Sequence, residues 1–132
     1  ICIENQIYEY KGVRILGLGG SYRYRDGENM YTEKQMKRRI HKVSLQLWRK
    51  KGFDILLTHA PAYGIGDMDN ISHRGFECFI DLLNKYQPKY FIHGHVHTNY
   101  DRRVEKIRKY ENTTVINACG YQILEYPNDT ND

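Results

Sequence analysis

The hydrophobic pattern predicts an α/β fold, a mixed sheet with two main helices, and three observations predict it. Two short apolar runs, Phe53 to Thr58 (FDILLT) and Tyr90 to His93 (YFIH), have the length and β-favouring composition of buried strands. Two other stretches, Glu33 to Lys51 and Ser72 to Tyr86, repeat apolar residues at helical spacing. Residues 6–18 alternate apolar and polar side chains, as strands with one covered face do.

In chain order, QIYEYKG turns at Lys11 and Gly12 into VRILGL, which predicts a β-hairpin. Gly17 to Tyr24 (GLGGSYRY) follows the second arm. It lacks a Walker lysine and the GxGxxG spacing of a nucleotide loop, so it is read as a turn needing positive φ beside a sheet. Thr32 with Gln35 three positions on is a capping-box pattern opening the first helix, whose stripe is Met36, Ile40, Val43, Leu47 and Trp48. Gly52 ends it. After the first buried strand, His59 precedes a loop holding Asp67 and Asp69, carboxylates that rank second to the histidines as metal ligands because Asp is common in loops. The second helix buries Phe76, Phe79, Ile80 and Leu83, with His73 and Arg74 at its start, either lining the site mouth or decorating the first turn. Beyond the second buried strand, Val104 to Tyr110, Thr113 to Ala118 and Gln122 to Tyr126 read as strands, with Asn112 in a tight turn and a polar, frayed tail, PNDTND.

The chain has 132 residues, enough for one core burying about two-thirds of the unfolded surface. With 40% hydrophobic and 27% charged residues it is of ordinary globular composition. No apolar run is long enough to cross a bilayer, and the N-terminus has no signal-peptide pattern. Opening without methionine inside a strand-like stretch, the sequence is expected to be part of a longer polypeptide. Cys2, Cys78 and Cys119 form no CxxC pair; reduced thiols and a cytoplasmic setting are expected, with Cys119 packing as a small apolar residue. Net charge is +4, much of it in Lys34 to Lys51, where eight basic residues follow one acid, Glu33. Such a run can track a phosphate backbone, but a solvated helix face explains it more simply, so nucleic acid is not the favoured partner.

Five of the six histidines fall between Leu57 and His97. His59 closes one strand pattern. His95 and His97 follow Gly94, where the chain can turn, and in extended geometry they leave one face while Val96 leaves the other. Imidazoles at the carboxyl ends of two strands are where α/β sheets build sites, and they point to metal ligation.

Thr58-His59-Ala60-Pro61 after one strand, a helix, and Gly94-His95-Val96-His97 after the next resemble the C-terminal half of the calcineurin-like metallophosphoesterases. GLGGSYRY and Ile116 to Tyr121 (INACGY) add to the likeness, which covers essentially all of residues 1–132. The resemblance implies half of an α/β/β/α sandwich and a phosphomonoester or phosphodiester hydrolase. It also implies a centre of two divalent ions (manganese, iron or zinc) that generates a hydroxide, with His59 and His95 on one metal and His97 on the other. The family's aspartate-x-histidine, glycine-aspartate-x-x-aspartate and glycine-asparagine-histidine motifs do not occur in the sequence. The chain is therefore expected to be inactive alone. Its exposed sheet face is expected to self-associate or to pair with the N-terminal half. The rival reading is a non-catalytic binding or assembly module derived from that fold.

Overall fold

The computed structural model describes residues 1–67, 74–95, 107–119 and 123–126. β1 (Gln6–Tyr10) and β2 (Val13–Leu18) form the hairpin, turning through the left-handed residues Lys11 (φ 50°) and Gly12 (φ 81°). β5 (Ile55–Thr58), β6 (Tyr90–His93), β7 (Ile107–Tyr110) and β8 (Thr113–Asn117) complete a six-stranded sheet in the order β1-β2-β5-β6-β8-β7. β2, β5, β6 and β8 run parallel, and the outer strands β1 and β7 are antiparallel to their neighbours. Adjacent parallel strands put their carboxyl ends side by side, and this brings the histidine-bearing turns together.

Strand alternation sorts the sheet into two faces. Leu16, Leu56, Phe91 and Val115 lie in register on one face and are buried, and Leu18 and Thr58 continue the row. Met36, Val43, Leu47, Phe79, Leu82 and Leu83 pack against that face in a single core. Each such aliphatic or aromatic side chain contributes roughly 1.5–3 kcal/mol by leaving water. Ile15, Ile55 and Tyr90, and then Leu57, Ile92 and Ile107, point to the other face. There Leu57 is 39% and Ile107 51% exposed.

Among the described residues three helices replace the two expected. Glu33 to Lys51 is not continuous: α1 (Glu33–Lys42) and α2 (Ser44–Lys50) meet at Val43, whose N–H turns back to the Ile40 carbonyl at 3.1 Å. That i to i−3 bond tightens the turn and re-aims α2. Leu47 stays in the core, but Trp48 leaves the stripe and is 77% exposed. α3 (Glu77–Tyr86) starts five residues later than expected. Phe76 ahead of it is extended because its N–H donates to the Pro61 carbonyl, while its own carbonyl accepts from the Tyr63 N–H. A Cβ on Gly75 would collide with the Ala62 backbone at 2.3 Å, so only glycine permits this approach. The helix buries Phe79 and Leu83 as expected, and Cys78 as well. Burial pushes the Cys78 thiol far above its ordinary range, with the Glu33 carboxylate adding to the effect. Cys119, by contrast, is only half-buried.

Other expectations change at the edges. The first buried strand begins at Ile55 rather than Phe53, and β7 is described only from Ile107. Residues 123–126 are not a strand; the tail residues Pro127 to Asp132 lie outside the described residues. The glycine-rich turn does contain positive φ, at Gly20 (97°), and leads into a small parallel pair unforeseen in the sequence, β3 (Ser21–Tyr22) with β4 (Met30–Tyr31). Arg39 is no part of a solvated face. It is buried, donating to Asn5 Oδ1, the Gly19 carbonyl and Glu4 Oε1, with its guanidinium 4.2 Å from the Tyr31 ring centre. The basic run thus spends one of its cations on holding the glycine turn against α1. No helix among the described residues is long and apolar enough to cross a membrane.

Candidate metal centre

His59 follows the last residue of β5, and His95 lies two residues beyond β6. The pairing of these strands runs to Leu57 and Ile92 and is extended by the Gly94 N–H, which donates to the His59 carbonyl at 2.9 Å. His95 is not extended, contrary to the expectation. Its φ is 67°, so its side chain is aimed by a left-handed turn rather than by strand alternation. The turn swings the ring toward β5. His59 Nε2 and His95 Nδ1 stand 2.9 Å apart, with ring centres at 4.8 Å and planes inclined at 66°. The structure therefore brings two of the three predicted histidines together; His97 lies outside the described residues, as do Asp69 and His73.

The donor set can be tested against a divalent ion. Two imidazole nitrogens about 2.1 Å from one ion are separated by roughly 3.0 Å at a right angle and roughly 3.4 Å at the tetrahedral angle. The observed separation of 2.9 Å is close to the first, and it also fits a direct N–H···N hydrogen bond between one protonated and one unprotonated nitrogen. Neutral imidazole suits zinc, iron and manganese. Among the described residues no third histidine, cysteine or carboxylate joins the pair, so the set fits as part of a coordination sphere.

Asp67 has another task. Its Oδ1 accepts from the Gly64 N–H and its Oδ2 from the Gly75 N–H, both at 3.0 Å, which closes the loop after His59 onto the segment entering α3. Arg74 lies ahead of α3, not in its first turn. Its guanidinium lies over Tyr22 and Tyr63, 4.3 and 4.8 Å from their ring centres, and pairs with Glu77. A cavity of about 570 Å³ adjoins His59, with Gly19, Gly20, Ser21, Asn29 and Thr58 in its wall.

The residue that sequence reasoning missed is His93. It sits on the core face in line with Phe91, is 2% exposed, and donates from Nδ1 to the Gly94 carbonyl at 3.0 Å. Burial holds its imidazole below the ordinary histidine value and outweighs the opposing pull of the Gly94 bond. Within YFIH every residue is compatible with a strand, so nothing in the sequence marks this one as the inward histidine.

Comparison with known proteins agrees with this architecture. The profile of the calcineurin-like phosphoesterase family matches residues 3–99. Of the curated proteins, UPF0046 protein T07D4.2 of Caenorhabditis elegans is 39% identical over 70 residues, which are 50% of this chain and 17% of that protein. A solved crystal structure superposes with a TM-score of 0.60 at 18% identity, covering 88% of this chain and 44% of the other. The crystal structure of TT1561 of Thermus thermophilus does so with a TM-score of 0.57 at 15% identity, covering 88% and 48%. The chain thus spans less than half the length of each of these proteins, and the two structures show likeness of fold. With the family profile covering well over half of its residues, on a mixed sheet whose adjacent strand ends carry paired histidines, the chain belongs to the calcineurin-like phosphoesterase family.

Proposed function

We propose that this chain supplies the histidine side of a binuclear metal centre in a metal-dependent phosphoesterase. His59 and His95 serve one ion and His97 the other. The observation that carries this reading is the 2.9 Å approach of His59 Nε2 and His95 Nδ1 across neighbouring strand ends. When bound, a pair of divalent ions (manganese, iron or zinc) acidifies water and offsets charge on the transferring phosphoryl group. The chain's own residues hold and orient. β5 and β6 fix the two ligand backbones relative to each other, and the Gly94 to His59 bond ties their ends together. The substrate is a phosphate monoester or diester, and the setting in this reading is cytoplasmic.

In this reading the bridging carboxylate and the remaining ligands come from a complementary half of the domain, on the same polypeptide or another. Two observations favour it: the chain spans 44% and 48% of the solved structures it matches, and its sheet leaves one face apolar. Nucleic acid remains the less favoured partner, since Arg39 is committed to the core and Lys50 to Glu9.

The test is hydrolysis of a nitrophenyl phosphodiester with added manganese by the completed domain. His59→Ala, His95→Ala and His97→Ala should each lower turnover on the order of a hundredfold or more. Full activity in any one of them removes that residue from the assignment. A non-catalytic module, the rival, requires that the completed domain bind no metal and turn over nothing.

A further inference from the structure

His93 touches the turn that carries His95 and the loop that follows His59. Its Nδ1–H holds the Gly94 carbonyl at 3.0 Å, one residue before His95. On its other side the ring meets Gly66, in the loop that leaves His59; a Cβ there would lie 3.2 Å from Nε2. Gly66 adopts φ +78°, and its neighbour Asp67 ties the same loop to Gly64 and Gly75. Behind the ring stands Phe91, with centres 5.5 Å apart, and the His93 carbonyl accepts from the Ala118 N–H at 2.8 Å. The side chain is thus fixed on three sides and spans from the loop after His59 to the His95 turn.

We propose that His93 is the positioning residue of the centre, its ring pegging the His59 loop to the His95 turn and so setting the separation of the two imidazoles. The idea rests on the metal-site reading, but the peg itself is a property of the metal-free chain. A carbonyl only accepts, so the proton sits on Nδ1 and not on Nε2. This orientation also dictates which substitution can replace the ring. Asparagine places a donor where Nδ1 is, whereas glutamine, nearer to histidine in reach, places one where Nε2 is.

Three measurements on the full chain test this. Imidazole nitrogen resonances of the unsubstituted protein should show His93 as the Nδ1–H tautomer; an Nε2–H tautomer overturns the proposal. The Gly94 amide should exchange at least roughly fivefold faster in His93→Gln than in His93→Asn, because only asparagine keeps the turn pinned. Cobalt titration, read by its visible absorption, should show affinity about tenfold or more weaker in His93→Gln, with His93→Asn close to the unsubstituted chain. A space-filling role predicts the reverse ranking, or none, and either result overturns the proposal. If the unsubstituted chain takes up no cobalt even when joined by the complementary half of the domain, the metal reading falls while tautomer and exchange still decide the peg.

Discussion

Arg14 and Asp54 meet where β2, β5 and the end of α2 converge. Arg14 donates to Asp54 from Nη2 at 2.8 Å, Nε at 3.1 Å and its backbone N–H at 2.9 Å, and from Nη1 to the Lys50 carbonyl at 2.6 Å. Burial pushes the Asp54 carboxyl up, but the Arg14 hydrogen bonds and charge outweigh it and hold it below its ordinary value of 3.8. A carboxyl with a depressed folded value stabilises the fold above its unfolded value and loses that contribution as pH falls through the folded one. Asp54→Asn should therefore unfold more easily at pH 7 and lose less stability than the parent between pH 4 and pH 2 in urea titrations, taking about pH 4 as the unfolded value. Both side chains keep 20–27% of their exposure, so the loss at neutral pH is about 1–2 kcal/mol, less than for a fully buried pair. Equal acid dependence in the two proteins contradicts the assignment.

Helix starts show how far local sequence reaches. The capping box of α1 was legible because its partners are three residues apart: Gln35 N–H donates to Thr32 Oγ1 at 3.2 Å and Thr32 N–H to Gln35 Oε1 at 2.9 Å. α3 has no such cap, since Phe76 precedes it. Its first N–H groups, on Glu77 and Cys78, donate instead to the carboxylate of Glu33, which belongs to α1. A negative group at a helix N-terminus is favourable both as acceptor and against the helix dipole. Glu33→Ala should cost about 1–2 kcal/mol in chemical denaturation, with Glu33→Gln in between. A loss no greater than that of Glu28→Ala, at an exposed turn position, would show that the cap contributes nothing. The same limit explains the broken helix: the stripe Met36, Ile40, Val43, Leu47 is periodic through the break, so periodicity alone could not locate it.

At the scale of the whole molecule, the core cluster of the described residues lies on one side of the sheet. Helices cover the Leu16, Leu56 and Phe91 face, while Leu57 and Ile107 on the reverse remain partly in water. Parallel strands are ordinarily covered on both faces. The isolated chain should therefore self-associate at micromolar concentration in sedimentation, and Leu57→Lys should shift it toward monomer. Addition of the complementary half should compete with this association. A parent chain that sediments as a monomer throughout would remove the open face from the proposal.

The sequence by itself determined the α/β class, the hairpin turn, the two central strands with a helix between them and the positions of His59 and His95 at their ends. These follow from contacts within a few residues: alternation, helical spacing, glycine where φ is positive. Tertiary structure alone decided that His95 leaves the strand in a left-handed turn, that Glu33 caps another helix, that Arg39 is buried, and that His93 lies between the loop after His59 and the His95 turn. Each of those depends on groups as much as 45 residues apart meeting at one place, as Glu33 and Cys78 do, and the packed sheet makes that meeting.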